Sequence, residues 1–368
     1  MEFKVKREAF LNALYWTQST VERRTTMPIL ANVLIEFQKG NTRVTATDLE
    51  VGVRAKMDGE IVEEGAVTLN AKKLYEIVRE SGGETIQLKR LENDWVEIKS
   101  GKSVFKMVGL DPKDFPSFPE FGSEHLFSVP AKVIKEMIDK TMFAVSTDET
   151  RSNLNGAFLE EGEGGKLRMV ATDGHRLALI ERSVGSLGLA KGVILPRKGL
   201  AELKKLLEES DEEVAQFGFK DNMASVMKGN VELFMRLSET DFPDYSKVIP
   251  KENPYNARVE QRGFLQALKR VSILSSERYK GIRIEVKPAN MSISANNPDL
   301  GEAVEELEAD YKGKALAVGF NARYLIDVLS VLGDEQEVGI EMKDELSPSL
   351  LRKEGDEGYM YVVMPMKL

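Results

Sequence analysis

Cysteine is absent from the 368-residue chain, and histidine occurs only as His125 and His175. These shortages exclude disulfide scaffolds, cysteine-ligated zinc, iron–sulfur clusters, thiol nucleophiles and multi-histidine metal centres. No apolar run approaches the ~18 residues of a membrane-spanning helix. The opening Met1-Glu2-Phe3-Lys4-Val5-Lys6 alternates like a strand and lacks an apolar signal core, so a soluble, cytoplasmic protein is expected. No G-x-G-x-x-G occurs, and nothing like G-x-S-x-G surrounds a serine. Ser100-Gly101-Lys102-Ser103 imitates the end of a phosphate-binding loop, yet Val96 stands where its first glycine belongs. Val104-Phe105-Lys106-Met107 then alternates as a strand where a helix should follow, so Gly101 reads as a hairpin turn. Basic residues are outnumbered, with 51 Lys and Arg against 60 Asp and Glu, which argues against a surface coated in nucleic acid.

What the chain has in abundance is self-similarity. Glu2-Phe3-Lys4-Val5 leads to Phe10, Leu11 and Leu14, and Leu126-Phe127-Ser128-Val129 leads to Val133, Ile134 and Met137. Asn256-Ala257-Arg258-Val259 leads in the same way to Phe264, Leu265 and Leu268. Each is a short alternating strand followed by one apolar helix face. The starts at Phe3, Phe127 and Ala257 fall 124 and 130 residues apart. A second strand-and-helix unit recurs on the same period from Val67, Val193 and Ala317. Ala46-Thr47-Asp48 returns as Ala171-Thr172-Asp173 and more faintly as Ala295-Asn296-Asn297. Asp114-Phe115-Pro116-Ser117-Phe118 returns as Asp241-Phe242-Pro243-Asp244-Tyr245.

That period is too long for a solenoid and predicts three tandem copies of one domain, 1–122, 123–250 and 251–368. The proline-containing stretches 112–122 and 243–254 read as linkers. Each copy holds two helices among many alternating strands joined by short turns. The predicted class is α+β, with two helices per copy packed on antiparallel sheets. The six helix windows, 7–18, 71–80, 131–140, 197–209, 260–271 and 321–330, carry a formal +5, leaving −14 on the rest of a chain whose net charge is −9. Six ordinary amphipathic helices with solvated faces account for this, and so does one basic lining on an acidic body.

Two clusters admit two readings each. In Asp173-Gly174-His175-Arg176, Asp173 and His175 suit an acid–base pair or two metal ligands, or Asp173 simply caps a turn that Gly174 allows. Asp48 holds the matching place in a copy without the histidine, which favours the turn. The terminal Met360-Tyr361-Val362-Val363-Met364-Pro365-Met366-Lys367-Leu368 is either a last strand or an adaptable, methionine-rich binding surface.

Taken together, Thr47-Asp48-Leu49-Glu50, Ala171-Thr172-Asp173-Gly174-His175-Arg176-Leu177-Ala178, Pro196-Arg197-Lys198-Gly199, Phe242-Pro243-Asp244-Tyr245, Ala295-Asn296-Asn297-Pro298 and the terminal Val362 to Leu368 resemble the bacterial replication sliding-clamp family, the beta subunits of DNA polymerase III. The resemblance runs the length of the chain. It implies a head-to-tail homodimeric ring around duplex DNA, with no catalytic activity, no metal and no cofactor, that tethers polymerase. It implies DNA contacts at Arg24, Lys72, Arg151, Arg197 and Lys198. Ser152-Asn153 stands where some members have two tyrosines. It implies a partner-peptide pocket, shared by polymerase, clamp loader and other replication or repair proteins, at Leu154, Thr172, Gly174, His175, Arg176, Leu177, Pro243, Lys247, Val248, Leu346, Pro348, Val362, Met364, Pro365 and Met366. Arg176 is expected to orient the peptide backbone or a glutamine side chain. A dimer contact is expected between Phe105 and Met107 of one subunit and Ile273 and Leu274 of the other, flanked by Lys102, Lys106, Glu302, Glu305 and Glu306. The competing readings are a polynucleotide-processing enzyme built on Asp173 and His175, and a peptide-binding scaffold without DNA.

Overall fold

Alternation in Glu2–Lys6 sends Phe3 and Val5 to one buried face, and the chain turns directly into helix α1, Arg7–Gln18. The same step recurs at Leu126–Pro130 into α3, Ala131–Thr141, and at Tyr255–Glu260 into α5, Gln261–Val271. The second helix of each copy is α2 (Ala71–Glu80), α4 (Arg197–Glu209) or α6 (Ala322–Ser330). Asn70 caps α2 by accepting from the Lys73 amide, and Asn321 caps α6 by accepting from that of Arg323. Pro196, which has no such side chain, holds the matching place before α4. This computed structural model describes residues 1–21, 26–122, 126–209, 213–276, 279–333 and 337–367. Arg24 and His125 lie outside the described residues.

Among the described residues the strands form four antiparallel sheets, as the alternating pattern predicts. Two of them run through eight strands, and each joins strands of different copies. One sheet pairs Val51–Lys56 of the first copy with Val231–Arg236 of the second, Gly52 opposite Phe234. The other pairs Arg176–Ser183 of the second copy with Tyr359–Val363 of the third, Leu177 opposite Val362. A five-stranded sheet ends on Ser103–Val108, and a four-stranded sheet ends on Gly301–Glu308. Gly101, with φ +57, turns the hairpin into Ser103–Val108, where the imitation phosphate loop stood in the sequence.

The cross-copy ladders decide how the chain packs. It divides into two compact units, Met1–Lys132 with Ala201–Leu237, and Val133–Leu200 with Ser238–Leu368. The middle copy is therefore shared between the units, its strands Val214–Lys220, Met223–Lys228 and Val231–Arg236 going to the first. In unit one, α1 packs beside α2 and over the strands Asn41–Thr47 and Val51–Lys56. In unit two, α5 packs beside α6, and Phe264, Leu268, Leu325 and Leu329 are wholly buried.

Unit two also carries a charged clasp between copies. Asp356 accepts from Lys140 Nζ at 2.9 Å and from Arg182 at 2.7 Å, and Glu136 accepts from the same two cations at 2.8 and 2.6 Å. Burial disfavours the Asp356 carboxylate, but the hydrogen bonds from Arg182 and Lys140 outweigh it and hold its pKa below the usual value. Among the described residues no helix is long and apolar enough to cross a membrane, and no group of three or more His, Cys, Asp or Glu side chains is set to hold a metal ion.

Candidate functional site

The polar cluster at 172–176 is a tight turn, and its hydrogen bonds say what each residue does. Thr172 Oγ1 donates to the Arg176 carbonyl at 2.6 Å and accepts from the Gly174 amide at 3.1 Å. Asp173 Oδ1 accepts from the amides of His175 and Arg176 at 2.9 and 3.1 Å. Gly174 sits at φ +90, a conformation glycine adopts without cost, and a Cβ there would press on the Arg151 guanidinium. Asp173 thus caps the turn, with its carboxylate committed to backbone amides and to Arg176 Nε.

Below the turn, Leu177 and Val362 face each other across the ladder and join Val170, Leu179 and Leu350 in a buried apolar floor. Phe242, Tyr245 and Ile249 of the linker cover part of it. Tyr245 is fixed by its hydroxyl, which donates to Glu160 and accepts from Arg168 at 2.9 Å. Burial and the Glu160 carboxylate push the phenol's pKa up, so it stays protonated. What remains open is a groove of about 270 Å³ lined by Arg151, Leu154, Thr172, Gly174, Arg176, Leu177, Pro243, Asp244, Tyr245, Val248, Val362 and Met364. An apolar floor with a few fixed polar groups at its mouth is the make-up of a site for side-chain anchors of a ligand.

The structure brings together Leu154, Thr172, Gly174, Arg176, Leu177, Pro243, Val248, Val362 and Met364 from the expected pocket. His175, Lys247, Leu346, Pro348, Pro365 and Met366 do not line this groove. His175 is exposed with its ring 6.4 Å from that of Tyr324, and Lys247 pairs with Asp244 at 3.0 Å. Leu346 is exposed on a turn capped by Asp344, and the Pro348 carbonyl accepts from Asn253. The last strand ends at Val363, and the tail is held at its root by two backbone bonds, Met364 N to His175 O and Met366 N to Gly319 O, both 2.9 Å. The C-terminus is thus a last strand as far as Val363, and beyond it Met364 lines the groove while Met366 does not.

Two arginines stand otherwise than expected. Arg176 is buried between the rings of Phe143 and Tyr324, and it donates to Asp173, to Asp327 at 2.8 Å and to the Phe143 carbonyl at 2.5 Å. Burial opposes its charge, but Asp327 and Asp173 more than offset this and its pKa is raised. Its guanidinium is committed to the protein, so it braces the groove from behind rather than presenting free donors to a peptide. Arg151, expected at DNA, donates to the Asp173 carbonyl at 2.9 Å and lines the groove beside Gly174. The expected pocket omits Tyr245 and Asp244, although the repeated Asp-Phe-Pro motif carries both.

The remaining expected residues are not among those that line the groove. Arg197 and Lys198 are exposed on the first turn of α4, and Lys72 is exposed on α2 with Glu76 at 4.0 Å. Phe105 is 37% exposed and Ile273 74% exposed, the first on the free edge strand Ser103–Val108 and the second in the short turn Ser272–Leu274. Met107 and Leu274 are half-buried, and Glu302 and Glu306 are exposed on the free edge strand Gly301–Glu308. Glu305 is already engaged within its own unit, bound by Arg270 at 2.6 and 2.9 Å.

Comparison with known proteins covers the chain from end to end. The profile described as DNA polymerase III beta subunit, N-terminal domain, matches residues 1–119, the central-domain profile 128–244 and the C-terminal-domain profile 246–367. The beta sliding clamp of Pseudomonas aeruginosa is 37% identical over 371 residues, covering 100% of each chain. The crystal structure of the DNA polymerase III subunit beta from that organism superposes with a TM-score of 0.94 at 35% identity, again over 100% of both chains. The sliding clamp of Bartonella birtlesii, solved bound to griselimycin, gives a TM-score of 0.93 at 35% identity over 100% of both.

Proposed function

Because the chain belongs to the DNA polymerase III beta subunit family, the beta sliding clamps, we propose a division of labour among the residues just described. The protein is a replication processivity factor, not an enzyme, and it tethers polymerase to DNA. The observation that carries the rest is the groove over Leu177 and Val362, rimmed by Met364 and walled by Tyr245. We assign it to a short peptide of the polymerase, of the clamp loader and of other replication or repair proteins. Each apolar anchor seated on such a floor contributes about 1.5–3 kcal/mol, enough for moderate affinity and easy exchange. The exposed, adaptable Met364 rim suits several sequences in turn.

Duplex DNA is bound without sequence preference through Lys72, Arg197, Lys198 and Arg24. A tether that slides needs phosphate attraction without base readout, and topological linkage replaces tight affinity. With that partner the protein works in the cytoplasm. The copies 1–122, 123–250 and 251–368 serve as the three domains of each subunit.

A head-to-tail homodimer closes the ring in this reading. Ser103–Val108 is a free edge with Val104, Phe105 and Val108 exposed, and an apolar edge of this kind invites another strand. Gly301–Glu308 is the complementary edge, acidic where the first has Lys106. Phe105 and Met107 share the face of the buried Ile98 and Val96, while Val104, Lys106 and Val108 share the other. Antiparallel pairing that matches faces sets Lys106 among Glu302, Glu306 and Glu308, and Phe105 toward Ile273 and Leu274.

The test of the pocket is deletion of Met364–Leu368, which removes its rim and two backbone tethers but leaves the strand Tyr359–Val363. The truncated chain is expected to sediment as a dimer and to lose calorimetric binding of a polymerase-derived peptide and stimulation of polymerase. Unchanged peptide binding would put the pocket elsewhere, and loss of the dimer would make the tail structural.

A further inference from the structure

The turn that builds the groove occurs twice. In unit one, Thr47 Oγ1 donates to the Val51 carbonyl and accepts from the Leu49 amide, both at 2.9 Å, and Asp48 accepts from the amides of Glu50 and Val51. These are the bonds of Thr172 and Asp173, residue for residue. The ladders correspond too: Gly52 faces Phe234 and Arg54 faces Glu232, as Leu177 faces Val362 and Leu179 faces Met360. The linkers share Asp-Phe-Pro, so Phe118 stands for Tyr245 and Phe121 for Val248.

The two outcomes differ. In unit two the floor position is a leucine, and the linker ring is held back by Glu160 and Arg168. In unit one the floor position is Gly52, and a Cβ there would strike the ring of Phe118. That ring stacks on Phe234 with centroids 4.9 Å apart and planes at 18°, and Phe121 lies 6.3 Å from the same ring. The Arg54 guanidinium lies 4.7 Å from the Phe234 centroid. Beneath, the apolar pair Leu179 and Met360 is replaced by Arg54 bonded to Glu232 at 3.1 Å. Arg54 Nε and the hydroxyl of its cross-strand neighbour Thr45 are buried without a partner, so this floor is polar as well as covered.

We propose that the unit-one turn is a second anchor groove that the chain itself occupies. Phe118 and Phe121 take the places that apolar anchors of a partner take in unit two, so each chain offers partners one groove rather than two. The inference rests on the peptide-pocket reading of unit two. It makes Gly52 and Phe118 the residues that set the number of partner sites.

The experiment titrates the full chain with a synthetic peptide carrying adjacent leucine and phenylalanine residues. The unaltered chain is expected to bind one equivalent and Leu177→Asp none. Adding Phe118→Ala and Phe121→Ala to Leu177→Asp is expected to restore one equivalent, about tenfold weaker because of the polar floor. Gly52→Ala in the same background displaces the Phe118 ring while keeping both phenylalanines, and guards against a double variant that unfolds. It is expected to restore the site and to speed amide exchange across 115–121 by about tenfold, as local release of a packed segment does. A folded Gly52→Ala chain with unchanged exchange and no restored binding overturns the proposal. Failure of the unaltered chain to bind at all overturns instead the pocket reading on which it rests.

Discussion

Consider Ile273→Ala at the proposed dimer contact. Ile273 is 74% exposed in the isolated chain, although it is a large apolar side chain on a short turn beside α5. Burying a whole isoleucine is worth about 2 kcal/mol, so covering this exposed fraction contributes roughly 1.5 kcal/mol at one junction. A head-to-tail dimer has two identical junctions, and the substitution removes most of that contribution from both, about 3 kcal/mol in total. At 1.4 kcal/mol per factor of ten, the dimer dissociation constant is expected to rise about 100-fold. Adding Leu274→Ala, half-buried beside it, takes the protein to monomer at micromolar concentration. Raising salt is expected to weaken the unaltered dimer far less, because the flanking Lys106 and glutamates are exposed and contribute orientation and rate more than affinity. Sedimentation velocity across a dilution series measures both effects. An intact dimer in the double variant refutes the contact, and a dimer that salt alone dissociates refutes the apolar account of it.

Two further outcomes follow from the charged residues. Replacing Lys72, Arg197 and Lys198 by alanine is expected to lower the slope of log affinity against log salt by about 0.9 for each phosphate no longer neutralised, equally on unrelated duplexes, and to shorten polymerase runs without altering the dimer; fluorescence anisotropy at several salt concentrations checks it. Asp356→Asn leaves Lys140 and Arg182 with Glu136 as their remaining carboxylate at a partly buried site and is expected to cost about 2 kcal/mol at neutral pH. Since the Asp356 carboxyl is held below its usual value, its contribution is present above the unfolded value of about 3.9 and is lost as pH falls through the folded value. Thermal melts of the two proteins should therefore differ at pH 7 and converge in acid, and a constant gap would refute the linkage.

The helices are legible because their signal is local: apolar residues at i, i+1 and i+4 place α3 and α5 within a residue of where they stand. Alternation likewise shows which face of a strand is buried, but not which strand lies beside it. The pairing of Val51–Lys56 with Val231–Arg236 is set by tertiary packing, and no pattern within either copy announces it. In the groove, the repeat and the resemblance name the Thr172–Leu177 turn and the Val362–Met364 rim. The role of Arg176 is hidden from the sequence, since its partner Asp327 lies 151 residues on and only the folded chain brings them together. Arg151 is named by the resemblance alone, and its place beside the groove is hidden for a related reason: only the folded chain brings it to the Asp173 carbonyl and into the space that Gly174 leaves open.

The cross-copy ladders also set a timetable for folding. Val51–Lys56 must wait for Val231–Arg236, some 175 residues further along, before its outer edge is closed. At about 5–20 residues per second of synthesis, that leaves an open strand edge for roughly 9–35 s on every ribosome. Arg176–Ser183 waits as long for Tyr359–Val363. No copy can finish alone as it emerges, and Tyr359–Val363 is the strand that completes the groove over Leu177. Truncated or stalled products that lack either later strand therefore carry bare edges prone to wrong pairing, and the groove over Leu177 cannot form until Tyr359–Val363 has been made.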